Sequence, residues 1–180
     1  MHRRPLQTLL EAYQPDNSVE QESRRLMLAF LQREPTCFER SCPEGHFTGS
    51  CWLVNADHSA TLLTHHKKLG MWLQLGGHAD GDPDLLRVAI REAEEESGLT
   101  AISPLSVSIF DIGVHTIPSL GAAFSHTHYD VRFLLQTKDP RPFTVSEESF
   151  DLRWLSRSAP LSEIPSNGDV QRMFKKWVSL

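Results

Sequence analysis

The sequence predicts an α/β or α+β sandwich of mixed strands with a helix between them, preceded by a helical extension. Apolar residues recur at helical spacing over the first 35 residues, and short apolar runs typical of strands begin near residue 47. An amphipathic helix separates the earlier strands from the later ones, which indicates a layered fold. We therefore expect residues 1–45 to be an extension packed on the domain, and residues 46–180 to form that domain.

Two helices are predicted in the extension. The apolar spacing of the first breaks at Pro15, and the second is expected to run from Val19 to Arg33 and to end at Pro35. The residues expected on their inner faces are Leu6, Leu9, Leu10, Tyr13, Leu26, Met27, Phe30 and Leu31.

Short apolar runs bounded by turn residues predict the strands of the domain. Asn167 is a suitable N-cap for a last helix that ends near Trp177. The predicted strands are Cys51–Val54, Ala60–Thr64, Trp72–Leu75, Leu105–Val114, Phe124–Thr137 and Leu152–Leu155.

The strand Phe124–Thr137 alternates between apolar and polar side chains, so it should present one face to the core. The apolar face carries Tyr129, Val131, Phe133 and Leu135, and the polar face carries His126, His128, Asp130 and Arg132. Two histidines two residues apart in a strand can bind a metal. We favour the interpretation that His126 and His128 line a polar cleft or lie in solvent.

Composition excludes several functions. The net charge of −5 argues against binding of duplex nucleic acid, which needs a basic face. No apolar run is long enough to span a membrane, and the N-terminus does not resemble a secretory signal. Three cysteines favour reduced thiols and a cytoplasmic protein. Zinc binding by Cys37, Cys42 and His46 is disfavoured because a fourth ligand and the usual spacing are missing.

The candidate functional residues lie mainly in an acidic helix between Gly76 and Leu99. Glu92, Glu95 and Glu96 stand at i, i+3 and i+4, which places three carboxylates on one helix face. They lie toward the helix C-terminus, where the helix dipole disfavours negative charge. A solvated acidic face is the alternative, but this placement favours a site for a divalent cation such as Mg²⁺, which prefers oxygen ligands.

The two ends of this helix also have marked sequence features. Gly76 and Gly77 permit close approach of the backbone to a ligand or metal. Asp82 is the expected N-cap, with Pro83 at the first helical position, and Gly98 is expected to end the helix.

Together these residues resemble the signature of the Nudix hydrolase family. That signature is a Gly, five residues, a Glu, seven residues, and then Arg-Glu-apolar-x-Glu-Glu-x-Gly-apolar. Here Pro83 replaces the early Glu, so we expect the loop–helix junction to differ while metal binding is retained. The matching residues are Gly77, Arg91, Glu92, Ala93, Glu95, Glu96, Gly98 and Leu99.

The resemblance implies a Nudix-type α/β/α sandwich and a metal-dependent hydrolase. Its substrate would be a small phosphorylated molecule, a nucleoside diphosphate linked to another moiety, and its reaction hydrolysis of a phosphoanhydride bond. Mg²⁺ is the implied cofactor, with Mn²⁺ as a substitute, and a homodimer is compatible with the family.

The resemblance also implies roles for individual residues. The catalytic residues would be Glu92, Glu95 and Arg91, of which Arg91 orients the glutamates through a salt bridge. A further base or ligand is expected from a later loop, at Glu147 or Glu148. The metal ligands would be Gly76, through its carbonyl, with Glu92, Glu95 and Glu96, and the substrate-binding residues would be Gly77 and His78.

Two rival functions remain at this stage. An isomerase of isopentenyl diphosphate shares the fold and uses a catalytic cysteine, for which Cys51 or Cys42 would be the candidates. The surroundings of these cysteines do not resemble the motif of that enzyme. A non-catalytic nucleotide sensor is the other alternative, although such domains commonly lose signature carboxylates that this chain retains.

Overall fold

The computed structural model describes residues 2–117 and 125–180, which form a curled mixed sheet with helices on both sides. The helices are α1 (Arg4–Ala12), α2 (Ser18–Arg33), α3 (Leu85–Ser97) and α4 (Gly168–Val178). The strands are β1 (Gly45–Val54), β2 (Ala60–His66), β3 (Met71–Leu73), β4 (Leu75–His78), β5 (Ile102–Pro104), β6 (Asp111–Ile117), β7 (His126–Thr137) and β8 (Ser149–Ser156).

Strand β1 lies at the centre of the sheet. It pairs in parallel with β7 along its whole length, from Gly45 opposite Thr127 to Val54 opposite Gln136. Its other partners, β2 and β4, are antiparallel, as are the pairs β2–β3, β2–β8, β5–β7 and β6–β7. The central strand therefore contacts the rest of the sheet on both edges.

Two apolar cores cover the two faces of the sheet. On one face, α1, α2 and α3 pack on alternate residues of β1 and β7, such as Phe47 and Val131. On the other face, α4 packs against Trp52 and Leu155 through residues that include Trp177. The predicted α/β/α sandwich with a mixed sheet is thus confirmed. No helix within the described ranges is both long and apolar enough to cross a membrane.

The N-terminal helices lie close to where the sequence places them. Asn17 caps α2, because its side chain accepts a hydrogen bond from the Glu20 amide. The ring of Phe30 stacks on Tyr129 of β7 with centroids 4.2 Å apart. These helices therefore share a core with the sheet.

Some predicted bounds are wrong. The strand predicted at residues 105–114 begins only at Asp111, because Ser106 accepts a hydrogen bond from the Ser108 amide and turns the chain. The predicted start of the next strand, Phe124, lies outside the described residues. From His126 onward, β7 alternates as predicted, with its apolar face in the core.

The start of α3 also differs from the prediction. Asp84, not Asp82, is the N-cap, and its side chain accepts a hydrogen bond from the Arg87 amide. The carboxylate of Asp82 instead accepts from the Asp84 amide and pairs with the Arg87 side chain. Pro83 consequently lies in the loop before the helix rather than at its first position.

A buried ionic network joins the sheet to α4. The guanidinium of Arg132 is 1% exposed and lies 2.6–2.7 Å from carboxylate oxygens of Asp111, Asp130 and Asp169. Arg172 of α4 contacts two of the same carboxylates, those of Asp111 and Asp169, at 2.8 Å. A buried guanidinium needs such partners because an unpaired charge in the interior is strongly destabilising.

The same network reaches the N-terminal helices. Lys176 of α4 lies 3.0 Å from Asp111 and 2.9 Å from the buried carboxylate of Glu20 in α2. Tyr13, which follows α1, donates a hydrogen bond of 2.6 Å to Glu20. The first two helices and the last one are therefore joined by buried polar contacts.

We expect Arg132→Ala to lower the free energy of unfolding by about 3–5 kcal/mol, because it leaves buried carboxylates without their partner. Urea denaturation followed by circular dichroism measures this change. Arg25→Ala is the control, since Arg25 pairs with Glu22 on the exposed surface of α2 and its loss should change stability far less. Equal effects of the two substitutions would contradict the structural role given to Arg132.

Candidate active site

The glycine pair of β4 lies directly beneath the acidic helix. A Cβ atom at Gly77 would stand 2.4 Å from a carboxylate oxygen of Glu92, and a Cβ at Gly76 would stand 2.5 Å from the Cα of Ser50. Gly76 also has φ near +152°, a conformation that disfavours other residues. Glycine is therefore required at both positions, and Gly77 allows a carboxylate to rest against the backbone.

Glu96 is the most enclosed carboxylate of the site. It is 9% exposed, and its Oε1 accepts a 2.7 Å hydrogen bond from the Gly76 amide. Burial raises the pKa of Glu96 to about 8, a rise that nearby carboxylates reinforce and the Gly76 hydrogen bond opposes. The fold thus holds this group where a negative charge is unfavourable without a compensating cation.

Arg91 fixes the position of a second carboxylate. Its Nη2 donates to Glu92 Oε1 at 2.7 Å and to the carbonyl oxygen of His78 at 2.9 Å. Its Nε lies 3.9 Å from Glu95 Oε1. Burial raises the pKa of Glu92, and the hydrogen bond from Arg91 opposes that rise. Arg91 therefore links α3 to the end of β4 and orients Glu92.

Two further carboxylates complete the cluster. The side chain of Glu95 is 63% exposed, so it faces solvent beside Glu92. Glu148, from the segment before β8, lies close enough to Glu96 to contribute to the rise in its pKa. Glu147 instead uses its backbone carbonyl, which accepts a hydrogen bond from Lys67 Nζ. The structure therefore brings Glu148, of the two candidates, into the electrostatic environment of the helix.

The chemistry of these donors fits a divalent cation. All side-chain donors are carboxylates, the hard oxygen ligands that Mg²⁺ prefers. Burial is the main cause that raises the pKa of Glu92 and Glu96, and neighbouring carboxylates raise both further. A bound cation would offset these effects, so the residues present fit a divalent metal.

A group of histidines lies on the opposite face of β4. His46, His78 and His128 come from β1, β4 and β7, and one nitrogen from each lies within 4.8 Å of the others. His126 is adjacent, with its Nε2 3.1 Å from that of His128. Burial is the main cause that lowers the pKa of His46, His78 and His128 to about 4 each, so their imidazoles are neutral at pH 7.

One cavity lies away from both clusters. It has a volume of about 880 Å³ and lies between α1, α4 and the segment before β6. Its walls include Tyr13, Phe110 and Lys176 and none of the predicted site residues. This cavity is therefore separate from the chemical groups described above.

The cysteines do not form a reactive or metal-binding group in the described residues. Cys37, Cys42 and Cys51 are free and buried. Burial raises the pKa of Cys51 well above its usual range, and the charges of Glu96 and Asp130 act in the same direction. A thiol of this kind is a poor nucleophile. This environment argues against Cys51 as the catalytic cysteine of the isomerase alternative.

Comparison with known proteins identifies the family. The sequence model of the NUDIX domain matches residues 46–177. The chain belongs to the Nudix family. It is an enzyme of the Nudix pyrophosphohydrolase class. No match was found among curated proteins.

Solved Nudix structures share the fold of this Nudix chain. A NUDIX-family hydrolase from Clostridium perfringens is 26% identical, with a TM-score of 0.54, and the match covers 73% of this chain and 95% of that one. A MutT protein from Methanosarcina mazei is 18% identical, with a TM-score of 0.58, over 73% and 91% of the two chains. A C. elegans Ap4A hydrolase is 16% identical, with a TM-score of 0.54, over 74% and 95%.

The proximity of His46 to the other histidines of this Nudix domain could not be predicted from the sequence alone. His46 lies in β1 opposite His128 of β7, a pairing across 82 residues of chain. The available signal is the alternation of His46, Thr48 and Ser50, which matches the polar face of the strand beginning at His126. Aligning these two alternating faces predicts the contact only if the strands are known to be paired in parallel.

We expect Gly77→Ala to reduce kcat by about 100-fold or more, because the new methyl group displaces the Glu92 carboxylate by the order of 1 Å. Steady-state hydrolysis of a pyrophosphate-linked nucleotide measures the effect. Gly168→Ala at the start of α4 is the control, because an added Cβ meets nothing within 4 Å there. Full activity in a folded Gly77→Ala variant would contradict the proximity of Glu92 to the reaction.

Proposed function

We propose that this protein is a metal-dependent hydrolase of the phosphoanhydride bond in a nucleoside diphosphate linked to another moiety. The observation that carries the proposal is the packing of two helix carboxylates, Glu92 and Glu96, against the glycine pair of β4. Glu95 and Glu148 extend this cluster toward solvent. Such a cluster, beside a backbone that is free of side chains, suits a metal ion shared with a phosphate group.

The residues that would hold the metal are the Gly76 carbonyl and the side chains of Glu92, Glu95 and Glu96. We assign Mg²⁺ to the site, with Mn²⁺ as a substitute. When bound, the ion would supply positive charge to the phosphate oxygens on which negative charge accumulates during hydrolysis.

The surrounding residues position the reactants and accept a proton. Arg91 is a positioning residue, since it orients Glu92 and holds the end of β4 through the His78 carbonyl. The attacking water must lose a proton as it adds to phosphorus. We propose Glu148 as its acceptor in preference to Glu147, because Glu148 shares the electrostatic environment of Glu96.

Gly77 and His78 are proposed to contact the substrate phosphates. Gly77 offers backbone without a side chain, which permits close approach. His78 is half-buried and neutral at pH 7, so it would offer a hydrogen bond rather than a charge. The positive charge needed at this site would come from the metal.

The substrate is proposed to be a small phosphorylated nucleotide derivative. Structures that share the fold include an Ap4A hydrolase and a dihydroneopterin triphosphate pyrophosphohydrolase, and both names describe small phosphorylated molecules. We also propose a cytoplasmic location, which suits three cysteines that are all free thiols. A homodimer is proposed from the resemblance to the family.

We expect Glu95→Gln to lower kcat for pyrophosphate hydrolysis by about 100-fold or more at saturating Mg²⁺. A panel of nucleoside diphosphate derivatives, with products separated by chromatography, measures turnover. Glu94→Gln is a matched control, since Glu94 is exposed on the same helix but lies outside the predicted cluster face. Treatment with EDTA should abolish turnover, and Mg²⁺ or Mn²⁺ should restore it.

Equal turnover by the Glu95→Gln and Glu94→Gln variants would contradict the assigned role of Glu95. Nucleotide binding without turnover under any divalent metal would favour the sensor alternative instead.

Residues 1–45 are proposed to be an extension that is packed firmly on the domain. Phe30 has no exposed surface and stacks on Tyr129 of the sheet. We expect Phe30→Ala to lower the free energy of unfolding by about 3–5 kcal/mol in urea, with one cooperative transition. Val19→Ala in the same helix is the control, because Val19 is 64% exposed. An unchanged stability of Phe30→Ala would show that the extension is not held by the core.

A further inference from the structure

The histidine cluster contains a buried polar group with no partner. His46 is 2% exposed, and neither of its ring nitrogens has a hydrogen bond within the described part of the chain. A buried polar group left unsatisfied normally costs about 1–3 kcal/mol, so such groups are rare and call for an explanation. The rings of His78 and His128 lie around it, with centroids 5.0 and 4.8 Å from that of His46.

Three different strands contribute these rings. The parallel register of β1 and β7 places His46 directly opposite His128. The antiparallel register of β1 and β4 places His78 opposite Thr48, two residues along from His46 on the same face. The backbone therefore fixes all three imidazoles at one point of the sheet, and the convergence does not depend on a flexible loop.

We propose that His46, His78 and His128 form a second metal site, which binds a transition-metal ion of the Zn²⁺ class. Imidazole nitrogens are preferred ligands of zinc and its neighbours in the periodic table, whereas Mg²⁺ prefers oxygen. The candidate nitrogens lie within 4.8 Å of one another, and rotation of the rings would bring them to zinc–nitrogen distances of about 2.0–2.1 Å. The site is thus chemically distinct from the carboxylate cluster.

The neighbourhood of the cluster suits this class of ion. A neutral imidazole nitrogen carries the lone pair that binds a metal, and three such rings meet here. His46 is buried, while His78 and His128 are half-buried, so one side of the ion would remain open. Three histidine ligands and an open position are the arrangement of zinc sites that also bind water or substrate.

The site adjoins the residues of the proposed hydrolase. His78 follows Gly77 directly, and its carbonyl oxygen accepts the hydrogen bond from Arg91. With an ion bound, the His78 imidazole would be a metal ligand instead of the phosphate contact proposed above. The inference therefore changes the role of His78 and leaves the roles of the glutamates unchanged.

The test is a zinc titration of the full-length protein without an affinity tag. The protein is stripped with EDTA, freed of chelator and kept in millimolar Mg²⁺, so that oxygen ligands favour magnesium. Competition with a chromophoric chelator measures the affinity and stoichiometry for Zn²⁺. The absorption spectrum after addition of Co²⁺ reports nitrogen coordination. We expect one Zn²⁺ per chain, and at least tenfold weaker binding by His46→Gln.

Two variants serve as controls. His65→Gln removes a histidine that stacks on Trp72 outside the cluster, and it should bind Zn²⁺ as the wild type does. Glu95→Gln should also retain Zn²⁺ binding, which separates this site from the carboxylate site. If circular dichroism shows that His46→Gln is misfolded, His78→Gln at the end of β4 replaces it, with the same tenfold loss expected.

Three results would overturn the proposal. These are unchanged Zn²⁺ affinity in a folded histidine variant, displacement of the Zn²⁺ by Mg²⁺, and loss of Zn²⁺ binding in Glu95→Gln. Hydrolysis by the zinc-free protein in Mg²⁺ is measured separately. Activity without zinc binding would overturn only the second metal site, and zinc binding without activity would overturn only the proposed function.

Discussion

The parallel pairing of β1 with β7 is the constraint that sets the positions of the polar side chains on these two strands. Its ten-residue register places His46 opposite His128, and Thr48 opposite Asp130. Side chains alternate between the faces of a strand, so a shift of one residue would exchange the polar face and the core face. The histidine cluster, the buried ionic network and the apolar core beneath the N-terminal helices all rest on this one register.

The acidic helix could be predicted from the sequence because its information is local. The spacing of Glu92, Glu95 and Glu96 sets their common face, and Gly98 ends the helix in the left-handed conformation. Local reasoning failed at the start of that helix, where Asp82 and Asp84 are both acceptable caps. The choice of Asp84 depends on how the preceding loop is held, including the pairing of Asp82 with Arg87.

Contacts between distant segments could not be predicted in the same way. Arg132 could be placed on the polar face of its strand, but its partners Asp111 and Asp169 lie on other elements. The buried carboxylate of Glu20 appears in the sequence as an ordinary charge near a helix start. Only the packing of α4 across the sheet reveals that Lys176 neutralises it. The burial of Glu96, which raises its pKa, likewise follows from tertiary structure rather than from the spacing of residues in the sequence.

The contact between Lys176 and Tyr13 spans 163 residues of chain, and it has a consequence for synthesis. A ribosome makes α1 and α2 before the strands of the sheet and before the lysine that neutralises Glu20, because synthesis runs from the N-terminal to the C-terminal side. Until then, the apolar faces of α1 and α2 have neither the sheet nor this cation to cover them. These two helices must therefore wait for their native partners, and they are exposed to chaperones or to aggregation throughout that interval.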